Sequence, residues 1–466
     1  MKKTFFFIPK SYLLFSFLIL FLFITSCGDE NEDPKFEEPP IVVINPADKL
    51  VQIAVNTNGG TIVDEPKINA KITISKTDVI SFEGNIGIEI RGASSQSFPK
   101  KSYGLETRDE NNEDLNVSLL GFPEEEDWIL YGPYSDKSLV RNMLIYNLSR
   151  DMDRYASRTE FVELTINNEY KGVYIFMEKL KRDSERIDIN KLKVDENSGE
   201  DLTGGYILKI DKIAGTNLGD GYNAQNSFIS THAPSFNSSG QQINFLYEYP
   251  DAEDITPEQK TYISSYVSDF EDALASPDFK DETIGYANYI DVSSFIDFFI
   301  LNELSNNVDG YRLSTFMHKD KNEKLNMGPI WDFNLAFGNA DYCSGGETNV
   351  WAYKFNERCS NDYWLIPFWW SRLLEDPAFV MQLKERWNSL RANTLSESTI
   401  LNKIDTYKSN LLKSGALDEN FKTWVILGNY VWPNNFVGST YGEENNYLQD
   451  WLKIRLQWLD SSINDL

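Results

Sequence analysis

Two carboxylates stand where folding alone would not ask for charge. Asp332 lies in Gly328-Pro329-Ile330-Trp331-Asp332-Phe333-Asn334-Leu335-Ala336-Phe337-Gly338, among bulky apolar neighbours. Asp309 lies in Leu301-Asn302-Glu303-Leu304-Ser305-Asn306-Asn307-Val308-Asp309-Gly310-Tyr311, where an apolar stretch ends in amides and acids. An isolated ionised carboxylate is costly in apolar surroundings and needs a partner. A divalent cation held by Asp332 and Asn334 is one such partner, with Asp309 as base or second charge; a helix cap and a turn would use the same residues without a ligand. Upstream, Arg91-Gly92-Ala93-Ser94-Ser95-Gln96-Ser97-Phe98-Pro99-Lys100-Lys101-Ser102-Tyr103 is a hydroxyl-rich loop running into paired lysines. Amides and hydroxyls of such a loop, with a following lysine, can hold phosphate oxygens; a solvated hairpin has the same composition. Glu178 follows an apolar run ending in Met177 and can pair with Lys100 or Lys101, or simply be a strand-end charge in solvent.

Other chemistries are poorly supplied. The chain has two histidines, His232 and His318, and neither sits in a ligand-spaced cluster, which argues against zinc and against a Ser-His-Asp hydrolase. His318 reads as a strand-end residue. With 71 acidic and 44 basic residues the formal charge is -27, which disfavours nucleic acid and anionic lipid surfaces as partners. An anionic ligand must therefore be met locally.

The elements that would position these residues divide in two. Alternating β-branched runs between residues 41 and 108 (41–44, 70–74, 86–90, 103–106) predict strands of an antiparallel sheet, with Asn58-Gly59-Gly60 and Glu83-Gly84-Asn85 as turns. Residues 137–151 put Leu139, Met143, Leu144 and Leu148 on one helical stripe. A hairpin, 161–166 and 172–177, turns at Asn167-Asn168-Glu169, and a strand at 205–210 closes this half. After a polar insertion around 217–240 come helices at 257–275 and 292–304, short strands at 314–319 and 325–331, and a helical, aromatic tail over 381–463. The plan is α+β, a β-rich lobe over about 41–212 and a helix-rich lobe over about 250–466, with the cleft between them as the ligand site.

The amino terminus predicts export. Met1-Lys2-Lys3 precedes an apolar run over 12–24, a signal-peptide layout too short for a comfortable membrane span. The run ends in Ile24-Thr25-Ser26-Cys27, which resembles a bacterial lipobox. That resemblance implies a signal peptide over 1–26 and diacylglycerol on Cys27, with a further acyl chain such as palmitate; two or more chains give lasting attachment. An ordinary secretory signal containing a cysteine is the alternative. Residues 27–40 are acidic and proline-punctuated, a tether that cannot bury a core. Cys343 and Cys359, sixteen positions apart, are then the remaining cysteines, and an oxidising compartment predicts a disulfide between them.

Several motifs in order carry a family resemblance. Arg-Gly-x-Ser-Ser with Lys-Lys-Ser-Tyr, Asp127-Trp128-Ile129-Leu130, Arg141-Asn142, Gly172-Val173-Tyr174-Ile175 with Glu178, Gly204-Gly205-Tyr206-Ile207, Asn307-Val308-Asp309 and Trp331-Asp332-Phe333-Asn334 resemble the spore coat protein H (CotH) kinase family. The resemblance implies an atypical protein-kinase-like two-lobed fold, ATP and magnesium, and phosphate transfer to serine or threonine of exported proteins. Carried over by residue, Arg91, Ser94, Ser95 and Lys100 or Lys101 lie by the ATP phosphates, and Glu178 pairs with that lysine. Asp309 matches the catalytic-loop aspartate and Asp332, with Asn334, the metal-binding segment. One departure stands out: where the family often has an asparagine shortly after the catalytic aspartate, this chain has Ser314 or Thr315. A hydroxyl is a poorer magnesium ligand than an amide oxygen. The expected product is a lipid-anchored kinase of the bacterial envelope, at the outer membrane or cell surface; the alternative is a non-catalytic surface lipoprotein acting as a binding or scaffold module.

Overall fold

A computed structural model describes residues 44–213, 221–238 and 240–466. The signal segment, Cys27 and the tether lie outside the described residues, as do residues 41–43 of the first expected strand. Residues Ile44–Leu466 form one compact unit. Among the described residues no helix is long and apolar enough to cross a membrane.

The first half is a closed barrel rather than an open antiparallel sheet. Its strands are β1 (Val51–Asn56), β2 (Ile68–Lys76), β3 (Val79–Arg91), β4 (Ser102–Arg108), β5 (Asp127–Tyr131), then, after helix α1 (Arg141–Asp151), β6 (Thr159–Ile166) and β7 (Glu169–Glu178). The order is β1-β2-β3-β4-β5-β7-β6, closed by a parallel pairing of β6 with β1. Glu83, Gly84 and Asn85 run through β3, paired with Ile72 and its neighbours; the turn falls at Thr77 and Asp78, both left-handed.

Side-chain alternation explains the barrel wall. Ile53, Ile72, Ile88, Trp128, Val162, Tyr174 and Phe176 fill the inside. From the same strands Ile129, Val173, Ile175 and Met177 face outward, into a second core shared with α1 and the helical half. Strands β5 and β7 are thus buried on both faces, which is why residues 172–177 read as an unbroken apolar run. The α1 stripe, Met143, Leu144 and Leu148, lies in that second core.

The strand expected to close the first half instead belongs to the second. Strand β8 (Tyr206–Ile210) pairs with β10 (Asn244–Tyr249) and β11 (Thr315–Lys319), in a five-stranded sheet completed by β9 (Ser227–Ile229) and β12 (Leu325–Met327). Around it pack α2 (Pro257–Ala275), α3 (Val292–Ser305), α4 (Phe355–Arg358), α5 (Trp369–Leu373), α6 (Pro377–Ala392), α7 (Glu397–Ser414), α8 (Ala416–Thr423) and α9 (Tyr441–Asn464). Thr256 and Gln259 form a reciprocal capping box at the start of α2, and Asp291 caps α3; such caps contribute about 1 kcal/mol each. Helix α3 ends at Asn306 in the left-handed conformation, which turns the chain toward Asp309.

Candidate active site

The barrel, the second sheet and the 309–335 segment enclose a cleft of about 700 Å³. Arg91, Ser94, Ser95, Asp309, Asp332 and Asn334 all line it. Lys100, Lys101 and Glu178 do not.

Each of those three has another occupation. Lys100 is buried, its Nζ donating to Val173 O at 2.6 Å and Asn420 Oδ1 at 3.0 Å, so it joins the barrel to α8. Burial without a carboxylate partner pushes its pKa well below the ordinary lysine value. Lys101 donates to Gln96 O at 2.5 Å and braces its own loop. Glu178 accepts from Arg158 Nη1 at 2.6 Å, from Arg158 N at 2.9 Å and from the Tyr155 hydroxyl at 3.2 Å. The expected lysine–Glu178 pair is therefore not formed. Lys100 reaches β7 at Val173, five positions along the strand from Glu178, so the two groups lie apart on it.

The loop after β3 is held as the small residues require. Gly92 has φ +102°, and a Cβ there would lie 2.1 Å from Ser95 Oγ. The Arg91 guanidinium sits 5.6 Å over the Trp331 ring. Lys212, beyond β8, donates from Nζ to Ser94 Oγ at 2.8 Å and ties this loop to the second sheet.

Asp332 is set by helix α1. Its backbone is left-handed at φ +61°, uncommon for a residue other than glycine. Two bonds hold it there: Asp332 N donates to the Tyr146 hydroxyl at 3.0 Å, and Phe333 N to Asn142 Oδ1 at 2.8 Å. Arg141 secures the following turn through Ala336 O at 3.1 Å while pairing with Asp136 at 2.6 Å. The Arg141-Asn142 motif thus serves the acid-bearing segment from one turn of helix. Tyr146 escaped the sequence reading, although its position four residues after Asn142 puts both on one helix face.

The Asp332 carboxylate accepts no hydrogen bond among the described residues, and neither does the Asn334 side chain. Burial, then Asp309 and Asp211, push the Asp332 pKa up to about 6 against the pull of Lys212 and Arg91. Part of the residue remains open to the cleft. This is a donor set that suits a hard divalent cation: one uncommitted carboxylate, one uncommitted amide, and further acids nearby. Asp309 differs. Its Oδ1 accepts from Arg312 Nη2 at 2.8 Å and from the Tyr342 hydroxyl at 3.3 Å, while Oδ2 has no donor among the described residues.

The structure also separates Ser314 from Thr315. Thr315 is buried and donates to Leu313 O at 3.1 Å. Ser314 lines the cleft, and its hydroxyl donates to Asp211 Oδ2 at 3.3 Å. Asp211 and Lys209, two residues apart on and just beyond β8, both line the cleft and were missed in the sequence because nothing ties residue 210 to residue 332 along the chain. Among the described residues the acids crowded within 4.8 Å of one another are Glu125, Glu126 and Asp127, and Lys181 fills that group with bonds of 2.6–3.1 Å.

Cys343 and Cys359 are joined by a disulfide. Its two ends flank residues that reach Asp309: Tyr342 directly, and Asp362 through Arg312 Nη1 at 3.2 Å.

A family model described as CotH kinase protein matches residues 88–459. The chain belongs to the CotH kinase family. The match spans both halves of this CotH chain and includes every cleft residue named above. No curated protein matches it.

Proposed function

We propose that this CotH-family chain is an exported, lipid-anchored kinase that transfers the γ-phosphoryl of ATP to a serine or threonine hydroxyl of another exported protein. The observation that carries the reading is the Asp332 carboxylate, uncommitted, poorly solvated and fixed by α1 in one cleft with Asp309 and Asn334. The barrel and the helical half serve as the two lobes of a kinase-like architecture, with the nucleotide between them.

Residues of this chain divide the work. Ile90 and Trp331, half-buried on the cleft wall, make one part of it apolar, suited to a nucleobase. The hydroxyls of Ser94 and Ser95 and the Arg91 guanidinium offer donors to phosphate oxygens. Asp332 and Asn334 would hold magnesium, which supplies charge neutralisation of the β- and γ-oxygens. Asp309, oriented by Arg312 and Tyr342, accepts the proton of the incoming hydroxyl as its oxygen bonds to the γ-phosphorus and the bond to the β-phosphate oxygen breaks. The anchor at Cys27 keeps the enzyme on the envelope, at the outer membrane or cell surface.

The reading is tested by melting the purified protein with ATP and magnesium or manganese, and by following label from γ-labelled ATP into envelope proteins. A rise in Tm and metal-dependent labelling are expected. No rise at millimolar nucleotide sinks the kinase reading in favour of a scaffold. Mass spectrometry of the amino-terminal peptide checks for lipid on Cys27, and an unmodified thiol refutes the anchor.

A further inference from the structure

An acidic protein that binds a polyphosphate must supply cations inside the cleft, because its overall charge of -27 repels the ligand. The paired lysines singled out by sequence are used elsewhere. Four lysines line the cleft: Lys67, Lys179, Lys209 and Lys212. Lys67 pairs with Glu106 at 3.0 Å, Lys212 holds Ser94 at 2.8 Å without a carboxylate partner among the described residues, and Lys179 is a half-buried residue 3.5 Å from Asp127.

Lys209 differs from the other three in being buried. It is 8 % exposed, on β8, and its Nζ lies 2.8 Å from Glu248 Oε2 on the neighbouring strand β10. An ammonium has three protons. One goes to Glu248, and no other acceptor among the described residues takes the remaining two. The ammonium nitrogen also lies over the Phe316 ring, 5.9 Å from its centroid, which limits where it can go. Two residues on, Asp211 lies on the same side of the strand and reaches Ser314.

We propose that Lys209, aimed by Glu248, is the cation that meets the nucleotide phosphates, doing on the second sheet what the sequence assigned to Lys100 or Lys101 with Glu178; the inference rests on the phosphoryl-transfer reading. Glu248 is a positioning residue. It holds the ammonium from one side and leaves its free protons for the ligand. Glu248 and Asp211 keep the Lys209 pKa above the ordinary lysine value despite burial, so the charge is present, whereas Lys100 is pushed the other way. Arg91 is near enough to Lys209 for their charges to repel. A polyanion between them removes that repulsion, which is a reason for a buried and a half-buried cation to share one cleft.

The test is calorimetric titration of the full mature protein with magnesium-ATP, and separately with adenosine. Lys209→Met is expected to weaken magnesium-ATP binding about tenfold or more, equivalent to about 1.4 kcal/mol, with adenosine binding within about twofold of wild type. Glu248→Gln should weaken magnesium-ATP less, and Lys209→Arg should restore most of the affinity. Lys321→Met, which removes a cation paired with Glu196 and Asp201 outside the cleft, should change neither ligand. The double variant Lys209→Gln, Glu248→Gln leaves no unmatched buried charge and carries the same expectation if Lys209→Met folds poorly. Full magnesium-ATP affinity in either Lys209 variant, Met or Gln, overturns the assignment while leaving the kinase reading intact. A wild-type protein that binds neither ligand removes the kinase reading, and this inference with it.

Discussion

Replacing Asp332 by asparagine removes its charge while keeping its shape, and Asn accepts the left-handed backbone at least as readily as Asp. Burial and two neighbouring acids raise the folded-state pKa of Asp332 to about 6, against about 3.9 in an unfolded chain. The folded protein therefore holds this proton more tightly than the unfolded chain does. Metal-free protein should lose stability as pH rises from about 4 to about 6, with the loss complete above that window. At about 1.36 kcal/mol per pH unit, the loss is about 3 kcal/mol. Asp332→Asn escapes it, so the variant should match wild type near pH 4 and be more stable by up to about 3 kcal/mol at pH 7. Over the folded unit Ile44–Leu466, an unfolding entropy of about 2.1 cal/mol/K per residue turns this into a Tm gain of about 3 °C. The assay is a pair of melting series across pH 4 to 8 without metal, repeated with magnesium-ATP. With ligand the order should reverse, because wild type gains and the variant does not. Protons compete with the cation for the same oxygens, so wild-type affinity for magnesium-ATP should rise between pH 5 and 7. A variant that melts well below wild type at pH 7 without ligand, or a difference that ignores pH, refutes the reasoning and makes Asp332 a structural acid.

Three further outcomes are expected. Glu303→Gln leaves Arg455 buried without its counter-charge, 3.3 Å away in the native core, and should cost about 3–5 kcal/mol in urea unfolding. Lys100→Met gives up hydrogen bonds worth about 1 kcal/mol while relieving a buried amine, so stability should move by no more than that, and titration should find magnesium-ATP affinity unchanged; a large loss of affinity would return Lys100 to the phosphate site. Reducing the Cys343–Cys359 bridge, which closes a loop of sixteen positions, should cost about 3 kcal/mol in the chain-entropy picture, seen as a lower Tm with reductant that a Cys343→Ser, Cys359→Ser double variant reproduces without it.

Local pattern carried a good part of the fold. Helix α2 spans the expected 257–275, and the β6–β7 hairpin turns at its asparagines. Barrel closure was hidden, because it depends on β1 meeting β6 across more than a hundred residues and on which face each pleat presents. The Glu83-Gly84-Asn85 triplet has turn composition, but the β2–β3 ladder absorbs it within a long strand. In the site, Asp332 was visible as an acid among apolar residues and Asp309 as one of a set of amides and acids at the end of an apolar stretch. The lysines were not: Lys100 lies just ahead of β4 and Lys209 within β8, and what sets them apart is a partner remote in sequence, Asn420 on α8 for one and Glu248 on β10 for the other, with burial lowering the first pKa and Glu248 helping to raise the second.

The parallel closure of the barrel also sets a timetable. Gln52 of β1 meets Glu163 of β6 across 111 positions, with a side-chain bond between them. A chain delivered amino-terminus first, at about 5–20 residues per second, leaves that edge of β1 waiting about 6–22 s for its partner. Through that interval an apolar strand has one row of amides and carbonyls unsatisfied, a template for pairing with another nascent chain. Crowded synthesis should therefore cost this protein yield before it costs the finished fold anything, and slower initiation should recover it.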